Sequence, residues 1–292
     1  MFTGTYTALV TPFRNGNIDE AALERLIKIQ VRAGVDGIVP VGTTGESPTV
    51  SYDEHIHLIA LAVRFAAGKI KVLAGTGANS TNEAIYLTEN AEKLGADGSL
   101  QVTPYYNKPT QEGLFQHFRA VARRTRLPIM LYSIPGRSGV EIGVETTTRL
   151  ARECRNIVAI KEAGGNADRV SQLRAALGPK FEIMSGDDGL TLPFMATGAQ
   201  GVISVASNVI PREMVRMVNA FAQGHARTAL KIHERYYPLF KDLFIETSPI
   251  PVKAALALMG QIKEEYRLPL VPMNSKNRVR LRKTMKACGV LN

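Results

Sequence analysis

The sequence predicts an α/β protein, a (β/α)8 TIM barrel carrying a C-terminal helical appendage. Three observations point there. Eight short β-rich runs alternate with longer segments of helical period over the first three quarters of the chain. Most of those runs are nearly continuous apolar stretches, as parallel strands buried on both faces require. A weak repeat also recurs before a strand: Gly34-Val35-Asp36-Gly37, Gly95-Ala96-Asp97-Gly98 and Gly198-Ala199-Gln200-Gly201. Its first glycine suits a left-handed helix cap and its second a tight turn into the strand.

In chain order the strands are expected at 6–10, 37–41, 72–75, 99–103, 129–132, 157–160, 182–185 and 202–205. Amphipathic segments separate them. Leu23, Leu26, Ile27 and Val31 share a face behind an Asp19-Glu20 start. Ile56, Ile59, Ala60 and Val63 form a second stripe, Ala84, Leu87, Ala91 and Leu94 a third, and Leu114, Phe118 and Val121 a fourth. Eight β/α units ending near residue 223 match the size of a barrel of roughly 250 residues or slightly fewer. A doubly wound sheet usually has fewer strands and a cofactor loop in its first turn. Pro40 sits awkwardly, because a closed barrel offers no edge strand to tolerate it. Beyond Ala226 the pattern is purely helical, broken by Pro249, Pro251, Pro269 and Pro272. The expected division is therefore a catalytic barrel over 1–225 and helices over 226–292.

Composition narrows the function. A 292-residue chain with 45% hydrophobic and 21% charged residues is globular. Two cysteines exclude a disulfide scaffold and suit a reducing compartment. Met1 to Tyr6 lacks a basic leader, and charges interrupt every apolar stretch before a membrane helix could form. A cytoplasmic protein with no membrane partner is expected. The net charge of +10 invites a nucleic-acid partner. Its best segment, Lys276 to Lys286, holds six basic residues and no acid, yet it lacks stacking aromatics and any binding motif. A solvated helix face explains it better, and no nucleic-acid partner is expected.

In a barrel of this class, functional side chains project from the C-terminal ends of the strands. Lys161 stands there, directly after Ile157-Val158-Ala159-Ile160. A desolvated lysine loses its proton more readily, and the neutral amine attacks ketones to form a Schiff base. The plain alternative is a lysine that snorkels to solvent or pairs with Glu162. Tyr132 and Tyr106 follow adjacent strands, with the Thr43 hydroxyl available between them, and such hydroxyls can shuttle protons. Arg137, in Pro135-Gly136-Arg137, offers a planar fork to a carboxylate at the same rim.

Other motifs fall away. Gly75-Thr76-Gly77-Ala78-Asn79-Ser80 lacks the third glycine of a dinucleotide loop, and Gly42-Thr43-Thr44-Gly45-Glu46 lacks the lysine of a P-loop. His55 and His57 diverge on a helix and cannot chelate together. Asp187 and Asp188 suit capping of the following turn better than a metal. Cys154 and Cys288 read as small hydrophobes. No metal and no dissociable cofactor are expected.

Taken together, Gly42-Thr43-Thr44-Gly45-Glu46-Ser47, Thr103-Pro104-Tyr105-Tyr106-Asn107-Lys108-Pro109, Ile160-Lys161-Glu162-Ala163 and Ser185-Gly186-Asp187-Asp188 resemble the dihydrodipicolinate synthase family of Schiff-base-forming, pyruvate-dependent lyases. The resemblance runs nearly end to end. It implies that Lys161 forms an imine with pyruvate and that the enamine condenses with L-aspartate 4-semialdehyde, in the diaminopimelate route to L-lysine. It implies a proton relay of Thr43, Tyr132 and Tyr106, with Tyr106 supplied across a subunit interface. Thr44 and nearby amides would hold the pyruvate carboxylate, Arg137 the second carboxylate, and Gly186 and Ile203 the pocket wall. A homo-oligomer follows, usually a tetramer built as a dimer of dimers. Ser47, His55, Asn79, Glu83 and Tyr105 match an allosteric site for L-lysine, although Tyr52 stands where lysine-sensitive relatives often have His and Pro48 stiffens that turn. Ser133 and Ser138 depart from the Asn and Thr common in the family. The rival within the superfamily is an aldolase or lyase for a sialic or sugar acid, which would not call for Arg137.

Overall fold

A computed structural model describes all 292 residues. Eight parallel strands close on themselves in sequence order: β1 (Gly4–Ala8), β2 (Gly37–Val39), β3 (Lys71–Gly75), β4 (Gly98–Val102), β5 (Ile129–Ser133), β6 (Ile157–Glu162), β7 (Glu182–Ser185) and β8 (Gly201–Ser204). The last strand pairs with the first, Tyr6 opposite Ile203, which seals the barrel. The expected TIM barrel is therefore the observed fold.

Helices α1 (Glu20–Ala33), α2 (Tyr52–Ala66), α3 (Thr81–Lys93), α4 (Gln111–Ala122), α5 (Val144–Glu153), α6 (Ala167–Leu177), α7 (Thr191–Ala196) and α8 (Pro211–Ala222) ring it. Their starts are written in the sequence. Asp19 caps α1 by accepting from Ala22, and Ser51 with Glu54 forms a capping box on α2. The repeat glycines Gly34, Gly95 and Gly198 all have positive φ, as their cap role requires. The polar residue of each repeat does a further job. Asp36 accepts from the Thr5 amide, Asp97 from Val72 and Gln200 from Ile183, so each side chain ties a loop to the adjacent strand.

Three expectations need adjusting. The α2 stripe is rotated: His55, Leu58, Ile59, Leu61, Ala62 and Ala66 are buried, whereas Ile56, Ala60 and Val63 are only half-buried. That helix is apolar over most of its circumference, so periodicity alone could not choose its inner face. Pro40 causes no conflict, because β2 ends at Val39; the Pro40 carbonyl still accepts from the Gly75 amide. Finally, β6 runs two residues further than expected and includes Lys161 and Glu162.

The C-terminal helices α9 (Ala226–Asp242), α10 (Ile250–Leu258) and α11 (Ser275–Ala287) pack against the barrel. Ala229, Leu239, Val252, Leu281 and Met285 join the same continuous apolar core as barrel residues Leu26, Val72 and Ile203. In the basic stretch on α11, Leu281 and Met285 face inward, while Arg278 pairs with Glu264 and Arg280 with Asp242. Those ion pairs belong to a surface helix face.

Candidate active site

Strand alternation decides which way each rim side chain points. At the end of β6 it sends Glu162 outward and Lys161 inward. Glu162 is fully buried against Arg169 at 2.8 Å and also accepts from the Gly164 amide. It is thus occupied, and the expected rival pairing of Lys161 with Glu162 does not occur. Lys161 is 6% exposed, forms no ion pair, and lies with Nζ 4.1 Å from the Tyr132 ring centroid. Tyr132 and Lys161 are register partners on β5 and β6, which explains the contact. Burial lowers the Lys161 pKa to about 7, with buried Asp188 pulling it up and Arg137 pushing it further down. A substantial share of this amine is neutral at physiological pH, as a nucleophile needs.

The space above Lys161 exists because residue 186 has no side chain. A Cβ at Gly186 would stand 3.0 Å from Lys161 Cε and 2.7 Å from Ala163 Cβ. The resulting cavity of about 260 Å³ is lined by Thr43, Thr44, Tyr132, Arg137, Lys161 and Gly186, among others. Thr43 to Gly45 form a single 3-10 turn behind β2. The Thr43 and Thr44 amides open that turn and donate to no backbone acceptor, so both remain free for an anion. Tyr132 is held as a phenol: burial pushes it up to about 12, against the opposing influence of Arg137 and a Thr43 hydrogen bond. The Arg137 guanidinium stands on the one-turn helix Pro135–Ser138, exposed at the rim, and donates to the Ser248 carbonyl at 3.4 Å.

Backbone strain recurs in the loops that follow β2 and β4. Val41, Glu46, Tyr106 and Lys108 all have positive φ, unusual for any residue with a side chain and most of all for β-branched Val41. Strain of this kind persists only where surrounding structure holds it, and it concentrates at functional sites.

Not every expected residue meets the cavity. Tyr106 is 91% exposed with φ +73° and does not line the cavity of its own chain. Within one chain the convergence therefore comprises Lys161, Tyr132 and Thr43 only. Ile203 is buried on β8, and Val205, two residues on, reaches the cavity wall instead. Asp187 caps the following turn by accepting from Gly189 and Leu190, while Asp188 accepts from Val205 and Ala206. Ser138 donates to the Ile134 and Val140 carbonyls, whereas the buried Ser133 hydroxyl finds no partner.

Beside the mouth, Ser47 and Tyr105 line the cavity, Asn79 donates to the Tyr105 carbonyl, and the Glu83 carboxylate raises the Tyr52 pKa by its charge. His55 is buried nearby with Nε2 on the Gly75 carbonyl at 2.8 Å, and burial lowers its pKa to about 4. It is a neutral ring that holds β3.

Sequence reasoning missed the C-terminal contribution. Phe244 and Ser248 line the cavity, although both follow α9. It also passed over Lys253, the lone charge in the apolar run of α10 and fully buried. That is the same signal that picked out Lys161.

The family model for the dihydrodipicolinate synthetase family matches residues 1–288. A 4-hydroxy-tetrahydrodipicolinate synthase of Persephonella marina is 53% identical over 292 residues, covering all of both chains. The solved 4-hydroxy-tetrahydrodipicolinate synthase of Methylacidiphilum fumariolicum is 55% identical, with a TM-score of 0.98 over 99% of this chain and 96% of that one. A third, from Cyanidioschyzon merolae and solved with lysine bound, is 46% identical with a TM-score of 0.97 over 99% of each chain.

Proposed function

The chain belongs to the dihydrodipicolinate synthetase family, and from that premise we propose that Lys161 carries its reaction, the condensation of pyruvate with L-aspartate 4-semialdehyde. The observation that supports this assignment is an unpaired, buried lysine at the floor of a cavity whose wall offers free amides, a phenol and a guanidinium.

The neutral Lys161 amine attacks the C2 carbonyl of pyruvate. Loss of water leaves an iminium, and loss of a proton from the methyl carbon leaves an enamine. The Thr43 and Thr44 amides, with the Thr44 hydroxyl, hold the pyruvate carboxylate and fix the face presented. The enamine carbon then attacks the aldehyde, forming the new carbon–carbon bond while Tyr132 protonates the developing alkoxide. Arg137 orients the second substrate by its carboxylate. The substrate's own amine next attacks C2, closes the ring and releases Lys161 as the leaving group. Water leaves with one proton and the alkoxide takes one through Tyr132, while the methyl carbon, the substrate ammonium and the ring iminium release three, so one proton passes to solvent per turnover.

Tyr106 completes the relay from a second copy of the chain. Its exposure and held positive φ suit a side chain presented outward, into a partner's cavity. A dimer is the smallest assembly this needs, and a tetramer of two such dimers follows the family habit. The buried, unpaired cysteines Cys154 and Cys288 suit a reducing cytoplasm. No helix is long and apolar enough to cross a membrane.

Arg137 separates this reading from a lyase for sialic or sugar acids, since a polyol chain gives that fork nothing ionic to grip. Purified chain should consume pyruvate and aspartate semialdehyde together and should leave N-acetylneuraminate uncleaved. Cleavage of the sugar acid without condensation would reverse the assignment. The cluster of Ser47, Asn79, Glu83 and Tyr105 would take the amine and carboxylate of L-lysine. Titration calorimetry should then give binding heat and a matching loss of rate; neither appearing would remove lysine control.

A further inference from the structure

The chain holds two buried lysines, and only one of them is unpaired. Lys253, on α10, is fully buried and forms an ion pair with Glu46, itself 2% exposed. Its ammonium lies 4.5 Å from the Phe13 ring centroid and 5.1 Å from that of Tyr266. Glu46 directly follows the 3-10 turn Thr43–Gly45 and is itself in the left-handed conformation, φ +57°. Its second oxygen accepts from the Arg267 amide at 3.3 Å. Arg267 extends the clasp: its guanidinium grips Glu54 through two bonds of 2.6 Å, donates to the Thr49 carbonyl at 3.0 Å, and lies 4.4 Å from the Phe13 ring centroid.

A buried ion pair is weak support for stability, because desolvating both charges offsets most of their attraction. What such a pair does well is specify one arrangement. Here it joins segments more than two hundred residues apart, the C-terminal helices and the turn whose Thr43 and Thr44 line the cavity.

We infer that Glu46 and Lys253 are positioning residues: their buried pair, clasped by Arg267, holds the Thr43–Gly45 turn in the geometry that binds the carboxylate of the keto acid. The C-terminal appendage thereby takes part in pyruvate binding without touching pyruvate. This inference rests on the assignment of the cavity to pyruvate and Lys161.

The pair also sets the two buried lysines apart. Burial lowers the Lys253 pKa while Glu46 draws it back up, and the ion pair occupies its side-chain nitrogen, whereas Lys161 has no ion-pair partner.

The test uses the full chain and pyruvate as the probe. Borohydride trapping on the parent protein comes first, so that absence of any adduct would count against the pyruvate assignment itself. The variants Glu46→Gln, Lys253→Met and the double Glu46→Gln/Lys253→Met are then compared. The double variant leaves no unpaired buried charge, and it decides the question if either single variant fails to fold. The pyruvate concentration for half-maximal trapping should rise roughly tenfold or more. KM for the semialdehyde should change by less than about twofold, and the single and double variants should show equal rather than additive shifts. A folded double variant whose pyruvate half-saturation stays within about twofold of the parent overturns the inference. So does an equal rise in KM for both substrates, which a merely structural role would produce.

Discussion

Lys161→Met should lose activity on the order of 10³-fold or more while becoming more resistant to unfolding. The two effects share one cause. The methionine keeps most of the stem that packs against Tyr132 and Gly186, so the cavity floor survives. What disappears is a buried amine with no counter-ion. Burial lowers its pKa to about 7 in the folded chain, from 10.5. Between those values the unfolded chain binds a proton that the folded chain does not, so the amine weakens the fold. Its cost is full at pH 7 and below and fades as pH rises toward 10.5. The gain in unfolding temperature on substitution should therefore shrink across that range. In the parent enzyme the rate of imine formation should rise as pH increases through about 7, because only the neutral amine attacks. A variant that kept its rate, or that lost stability at neutral pH, would show that Lys161 is a structural residue.

Tyr132→Phe should lower kcat by roughly 10² to 10⁴-fold with little change in the amount of pyruvate imine trapped. The ring stays, so contact with Lys161 and packing in β5 are preserved; only the hydroxyl goes. That hydroxyl is held as a phenol, pushed up to about 12, and can donate to an alkoxide that forms close by. Imine formation precedes the step it serves, which separates trapping from turnover. Tyr106→Phe should cause a comparable loss, but in the partner's site. Mixing Tyr106→Phe chains with Lys161→Met chains should then restore part of the activity, since a mixed dimer contains one complete site. Absence of any recovery after exchange of subunits would place Tyr106 outside the relay.

The barrel was legible because its signals are local. Strand runs, cap residues and the glycine repeat each follow from neighbouring residues, and each of the eight expected strands has its counterpart. The face of α2 was not legible, because Ile56 through Val63 offers apolar residues all round and only tertiary packing chooses among them. Lys161 could be read because it ends an apolar run where a barrel opens. The partnership of Glu46 with Lys253 could not, for nothing in either segment names the other across more than two hundred residues. The same holds for Phe244 and Ser248, which reach the cavity only because the appendage folds back over the barrel mouth. Tyr106 illustrates a different boundary. Its place beside the motif Thr103-Pro104-Tyr105 marks it for the site, but one chain's fold turns it outward.

One neutral lysine at the barrel mouth is proposed to form the covalent intermediate. Reduction with borohydride in the presence of pyruvate, followed by digestion and mass mapping, addresses it directly. A single adduct is expected, on the peptide that contains Lys161, with Lys253 unmodified. An adduct on Lys253 or any other lysine, or no adduct at all, would contradict that assignment.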